Sequence, residues 1–221
     1  YNTAIGGGVV GSNTGALGQN TTGQSNTAMG YGALALNTTG SQSTAVGYQA
    51  LYTQTTNSNS TAVGAYALKL STGNYNTALG TSALTTNSSG ENNVALGMQA
   101  LTSNTTASNN TAVGYQAGYA NTTGSLTAVG YQALKANTTG SNNVAVGFNS
   151  LLSNTTGNNN TAYGNQSLND NTTGNYNTAI GMQALISNTT ASNNTAVGYQ
   201  AGYSNTTGYI TAVGFNALVN N

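Results

Sequence analysis

The side chains able to do acid–base or nucleophilic chemistry are few: Lys69, Glu91, Lys135 and Asp170 are the only charged residues, and the chain has no His or Cys. Hydrolytic or transfer catalysis needs a base of matched pKa beside an oriented nucleophile, and no motif joins these four. Lys69 and Lys135 fall in one column of the repeat described below, where other copies hold Ala35, Tyr52, Thr102, Asn169 and Val219. Such variety marks a solvated position, and the chain is expected not to be an enzyme. Repeat proteins that hold calcium place an Asp in every coil, whereas only Asp170 is present, so neither metal nor cofactor is expected. Two cations cannot neutralise a run of phosphates or hold an anionic membrane surface, so nucleic acid and electrostatic membrane binding are not expected. No window approaches eighteen apolar residues, and no membrane insertion of this segment is expected either.

Two further sets of residues recur at fixed spacing. The first is an aromatic column, Tyr31, Tyr48, Tyr115, Tyr131, Phe148, Tyr199 and Phe215, in which Met98 and Met182 also stand. It reads as a packed ladder or as a strip on which sugars stack. The second is Asn37, Asn87, Asn104, Asn121, Asn137, Asn154, Asn171, Asn188 and Asn205, nearly all in Asn-Thr-Thr. It reads as a hydrogen-bonded ladder at a turn or, since each also fits the N-x-[ST] pattern, as a set of glycan attachment sites. The paired Thr residues raise an ice-binding alternative, although Thr-Thr before Gly places them in a turn.

The elements that carry these columns come from a repeat. Ala-x-Gly occurs fourteen times, with Ala at 4, 16, 28, 45, 62, 78, 95, 112, 128, 145, 162, 179, 196 and 212. From the third copy onward the spacing is 17 or 16. From the third copy onward, five residues after the triplet Ala comes a second small residue and usually Leu, as in Ala50-Leu51 and Ala133-Leu134, with Gly118 and Gly202 replacing that Leu twice. A polar loop, typically NTTG, closes the unit. The whole of 1–221 therefore reads as a single repeat domain, irregular with shortened coils over 1–27 and regular over 28–221. Residues 98–134 and 182–218 match at nearly every position, an offset of five coils.

Apolar residues do not recur at helical spacing, and segments such as NTAVGY are of strand length and bounded by Gly, Asn, Thr and Ser. The sequence contains no Asn-Gly or Asp-Gly, the strongest hairpin signals. Copies of one short strand at one period stack best on each other, in parallel, with like residues over like. The expected fold is all-β, a parallel β-solenoid of about fourteen coils. Alternation within Thr127-Ala128-Val129-Gly130-Tyr131 sets Thr, Val and Tyr on one side and Ala and Gly on the other. The Val side is expected to be the coil interior, and the Ala/Gly side a second packing interface, within the coil or with another chain.

The strings NTAVGYQAL and NTTGSNNTAVG resemble the head repeats of YadA-type trimeric autotransporter adhesins and the shaft repeats of phage tail fibres. The resemblance implies a left-handed β-roll or β-helix, a homotrimer, and an extracellular place on a cell surface or virion tail, with a cell-surface glycan or host receptor as partner. The coil here is longer, with its inserted NTTG loop, and a coiled-coil stalk, a membrane anchor and a C-terminal chaperone domain are not part of the sequence. The chain opens in mid-motif with YNTAIG and closes on ALVNN, which suggests a window on a longer array or a subunit that stacks end to end. The expected function is a structural or adhesive fibre displaying a repetitive polar face, with a glycan- or ice-binding module as the alternative.

Overall fold

The computed structural model describes residues 1–7, 14–206 and 208–220; residues 8–13 of the irregular stretch lie outside them. It is all-β, with thirteen short parallel strands and, among the described residues, no helix. The chain divides into two units, Tyr1–Asn110 and Thr111–Asn221. The first holds β1 (Thr3–Ile5), β2 (Thr27–Met29), β3 (Thr44–Val46), β4 (Thr61–Val63), β5 (Thr77–Leu79) and β6 (Val94–Leu96). The second holds β7 (Thr111–Val113), β8 (Leu126–Val129), β9 (Asn143–Val146), β10 (Thr161–Tyr163), β11 (Thr178–Ile180), β12 (Thr195–Val197) and β13 (Thr211–Val213). Within each unit every strand pairs in parallel with the next in sequence, Ala over Ala, as in Ala45↔Ala62 and Ala179↔Ala196. Each unit is thus a β-solenoid.

Strands of three or four residues leave most of each coil to turns, yet the turns are laddered too. Leu134 N–H donates to Ser150 O at 3.0 Å, Ala136 to Leu152 O at 3.1 Å and Thr138 to Thr155 O at 2.9 Å. Turn amides are thus shared between neighbouring coils and the coil itself: Gln132 N–H donates back to Tyr115 O at 2.9 Å, and Asn137 N–H closes its own turn on Leu134 O at 3.2 Å. The chain bends by placing L-residues at left-handed φ in three columns, represented by Gln132 (φ 54°), Leu134 (φ 51°) and Asn142 (φ 58°). The Gly that ends each strand is obligatory: at Gly80, φ is 137° and an added Cβ would lie 2.6 Å from Gly97 O.

Two expectations are corrected. The alternation along the strand is present, but its sign is reversed: from β2 onward the strand Ala residues, such as Ala45, Ala128 and Ala162, are buried, while the residues on either side of each Ala are half-buried or exposed. Of the two placements offered for the Ala side, the one within the coil is found. The physical reason is the size of the bore. A coil that turns at Gly130 and again at Leu134 encloses room for Ala128, Ala133, Leu134, Asn137, Gly140 and Asn143, all buried, and for little more.

The second correction concerns Ala16-Leu17-Gly18, which is not a strand triplet. Leu17 N–H donates to Ala33 O, as Leu34 N–H does to Ala50 O, so it stands in the second-segment column. Ala4 pairs directly with Ala28. The Ala16 triplet therefore adds no strand between them, and the described residues hold thirteen strands where fourteen triplets were read.

Candidate interaction surface

The Asn column lies inside. Asn37, Asn87, Asn104, Asn121, Asn137, Asn154, Asn171 and Asn188 have 0% exposure and Asn205 has 1%. Asn137 Nδ2 donates to Asn121 Oδ1 and to Gly140 O, both at 2.9 Å, and Asn154 repeats the pair on Asn137 Oδ1 (2.7 Å) and Gly157 O (3.1 Å). Both amide hydrogens of each are used, one to the preceding coil and one across its own turn. This is the ladder reading; in the folded coil no amide nitrogen of this column faces solvent to carry a glycan.

A second internal ladder was not singled out from the sequence: Asn26, Asn76, Asn93, Asn110, Asn143, Asn160, Asn177 and Asn194, each one residue before the strand Thr or Val. Here the side chain braces backbone. Asn143 Nδ2 donates to Gly157 O at 2.7 Å, and its Oδ1 accepts from Asn160 N–H at 2.9 Å. The signal was available in the repeated Asn-Thr-Ala, where the position before Thr holds a short polar residue except at Leu126 and Ile210.

The first Thr of most Asn-Thr-Thr turns also bonds a neighbouring coil. Thr138 Oγ1 donates to Thr155 O (3.0 Å), and Thr155 and Thr172 repeat the bond to Thr172 O and Thr189 O at 3.1 Å. A hydroxyl committed to a carbonyl is not a free element of a water-ordering lattice.

Outside, three columns run side by side in each unit: the strand Thr column, the aliphatic column, and the aromatic column. Leu79 is 44% exposed and Phe148 47%. The aromatic column is a ladder whose rings stack along the coil direction. Centroids lie 5.5 Å apart for Tyr31–Tyr48, 5.3 Å for Tyr115–Tyr131, 5.0 Å for Tyr131–Phe148 and 5.3 Å for Tyr199–Phe215, with interplanar angles of 8° to 23°. A sugar stacks on a ring face, and here the faces between neighbouring rings of each run are packed on one another. Met98 and Met182 continue the column and are exposed.

None of the four charged residues stands in these three columns. Lys69 lies over the Tyr66 ring with Nζ 5.1 Å from the centroid. Lys135, half-buried, edges a shallow groove with Tyr119, Ala136 and Leu152. Glu91 accepts from Asn74 Nδ2 at 3.0 Å, and Asp170 accepts from the adjacent Asn169 at 2.6 Å. The structure brings no two of the four charged groups together as a salt bridge among the described residues. No protein-family model matches the chain, and no curated protein and no solved structure matches it.

Proposed function

We propose that the chain is a structural element of an extracellular fibre that associates with further copies of itself through the Thr–aliphatic–aromatic face and displays its polar turns to its surroundings, in an adhesive or tail-fibre role. The observation that carries the reading is the outward face: an uncharged, largely apolar strip repeated on every strand of each unit. Contiguous exposed apolar patches beyond a few hundred Å2 mark interaction sites. Rungs ~4.8 Å apart and about five residues wide give roughly 500 Å2 on each unit. A standard interface takes about 800 Å2 from each partner, so the strip of either unit supplies more than half of one, and a copy of the same strip is a matching counterpart. With only four charges in 221 residues, little electrostatic repulsion opposes association. Three copies, the number the resemblance implies, would close such an assembly.

Light scattering on the native chain tests this. The expected mass is a small multiple of the chain mass, and Val129→Glu together with Val197→Glu, which set charge in the strip without entering the bore, should reduce it to one chain with circular dichroism unchanged. A native chain that is monomeric at every concentration sinks the reading.

A further inference from the structure

The aliphatic and aromatic columns are not independent. Each aliphatic residue stands two positions before its column partner in the same coil. Six of the seven aromatic residues follow a Val, as in Val129–Tyr131 and Val146–Phe148. Where the aliphatic residue is larger the partner is not aromatic: Leu79–Thr81, Leu96–Met98 and Ile180–Met182. At one coil the sizes invert, with Tyr163 in the aliphatic column at 59% exposure and Asn165, also exposed, where a ring would stand. Two coils depart. Met29 precedes Tyr31, and Val63 precedes Ala65, but there the next residue, Tyr66, sets its ring edge-on against Tyr48 at 5.2 Å and 82°.

A solvated surface places no constraint on the summed volume of two side chains, whereas a close-packed layer does. From this pattern we infer that the face is covered by a second copy of this chain lying parallel and in register, the aliphatic column of one copy packed against the aromatic column of the next at the same coil. The inference rests on the self-association proposed above and adds its geometry. In that arrangement Val meets Tyr, Leu meets Thr, and the projecting Tyr163 enters the gap over Asn165 of the neighbour. A shift by one coil sets Tyr163 against Phe148 or Met182, two large side chains in one layer, and Val146 against Asn165, two small ones. An antiparallel partner pairs unrelated coils. The contact is head-to-tail around a ring, since one column meets the other rather than itself. The Tyr163/Asn165 coil is the register mark.

The test uses Asn165→Tyr, Tyr163→Val and the double variant, with light scattering over a dilution series. Asn165→Tyr crowds the layer and Tyr163→Val empties it, so each is expected to weaken association about tenfold or more. The double variant restores the common Val–Tyr rung and is expected to return to within about threefold of the native chain. Thermal unfolding of each variant at a concentration where it is monomeric separates association from coil stability: the rescue must appear in association. Single nitroxide labels at Thr139→Cys and Thr173→Cys, equivalent exposed turn positions of the second unit and unique because the chain has no Cys, should report one common inter-copy distance at both heights. A monomeric native chain overturns the self-association reading and this inference together. An oligomer whose two single variants are neutral, whose double variant shows no rescue, or whose labels give unequal distances overturns the register alone.

Discussion

The inner polar wall differs between the two units. In Thr111–Asn221 the loop ladder runs without a break through Asn121, Asn137, Asn154, Asn171, Asn188 and Asn205, with spacings of 2.7 to 3.0 Å for the first four steps and 3.5 Å for the last. In Tyr1–Asn110 the same column holds Asn20, Asn37, Gln54, Ser71, Asn87 and Asn104, and the amide chain stops at Asn37. Gln54, a methylene longer, turns Nε2 to Ser43 Oγ (3.0 Å) and Asn57 O (2.8 Å), leaving Asn37 Oδ1 and its own Oε1 buried without a hydrogen bond. The second unit has its own exception in the facing column. There Leu126 and Ile210 replace Asn in the two coils where Gly118 and Gly202 replace Leu, and both are buried. In both units a larger side chain on one wall of the bore is matched by a smaller one on the other: Gln54 with Ser43, Ile210 with Gly202. The bore conserves volume first. An apolar exchange does so with nothing orphaned, whereas the polar exchange leaves two oxygens unpaired.

The largest effect should come from breaking the continuous ladder. Asn154→Leu in the second unit removes the donor to Asn137 Oδ1 and Gly157 O and the acceptor for Asn171 Nδ2, all buried. Gly157 O keeps its donor from Asn143 Nδ2, so two groups are orphaned, and at roughly 1–3 kcal/mol for each the loss should reach at least about 2 kcal/mol in a denaturant titration. Next in size is Gly202→Leu. Its φ of 63° suits the Leu found elsewhere in that column, but an added Cβ would lie 2.6 Å from Ile210 Cδ1 and 3.0 Å from Leu185 Cδ2. Overpacking of this kind should cost about 1–3 kcal/mol. Adding Ile210→Asn rebuilds the common coil and should recover most of it in the same titration; a double variant as weak as the single one would mean that volume is not what links the two columns.

Much of this architecture was legible in the sequence because a solenoid writes its register as a period. Aligning Ala45 with Ala62 and Ala179 with Ala196 by spacing alone yields the pairing that the strands adopt. The side of the strand that faces inward was not legible, because Val is more apolar than Ala and the rule that apolar means buried presumes a core with room. Here closure of the coil sets the bore, and Ala with Leu134 and the two Asn walls fills it. The triplet at Ala16 misled for a related reason: Ala-Leu-Gly satisfies the strand motif by type, and only the hydrogen bond from Leu17 to Ala33 O assigns it to the turn. Of the candidate residues, the Asn column was readable as a ladder from its regularity. The outward face was not, because its identity depends on the sign of the alternation.

The smallest effect tests whether the unpaired oxygens of the first unit come from a coupled exchange. Gln54→Asn alone gives Asn37 Oδ1 a donor but opens space beside Ser43, so the hydrogen bond gained and the cavity left should nearly cancel, within about 1 kcal/mol. Adding Ser43→Asn reproduces the arrangement of the second unit. By analogy with Asn143, whose Nδ2 reaches Gly157 O fourteen residues on, the amide at 43 would reach Asn57 O, and Asn at 54 would bond Asn37 Oδ1 and Asn57 O. The double variant should then be more stable than the native chain by about 1–2 kcal/mol. If Gln54→Asn alone gives the whole gain, Ser43 is not coupled to it, and the volume argument would hold only for the apolar exchanges of the second unit.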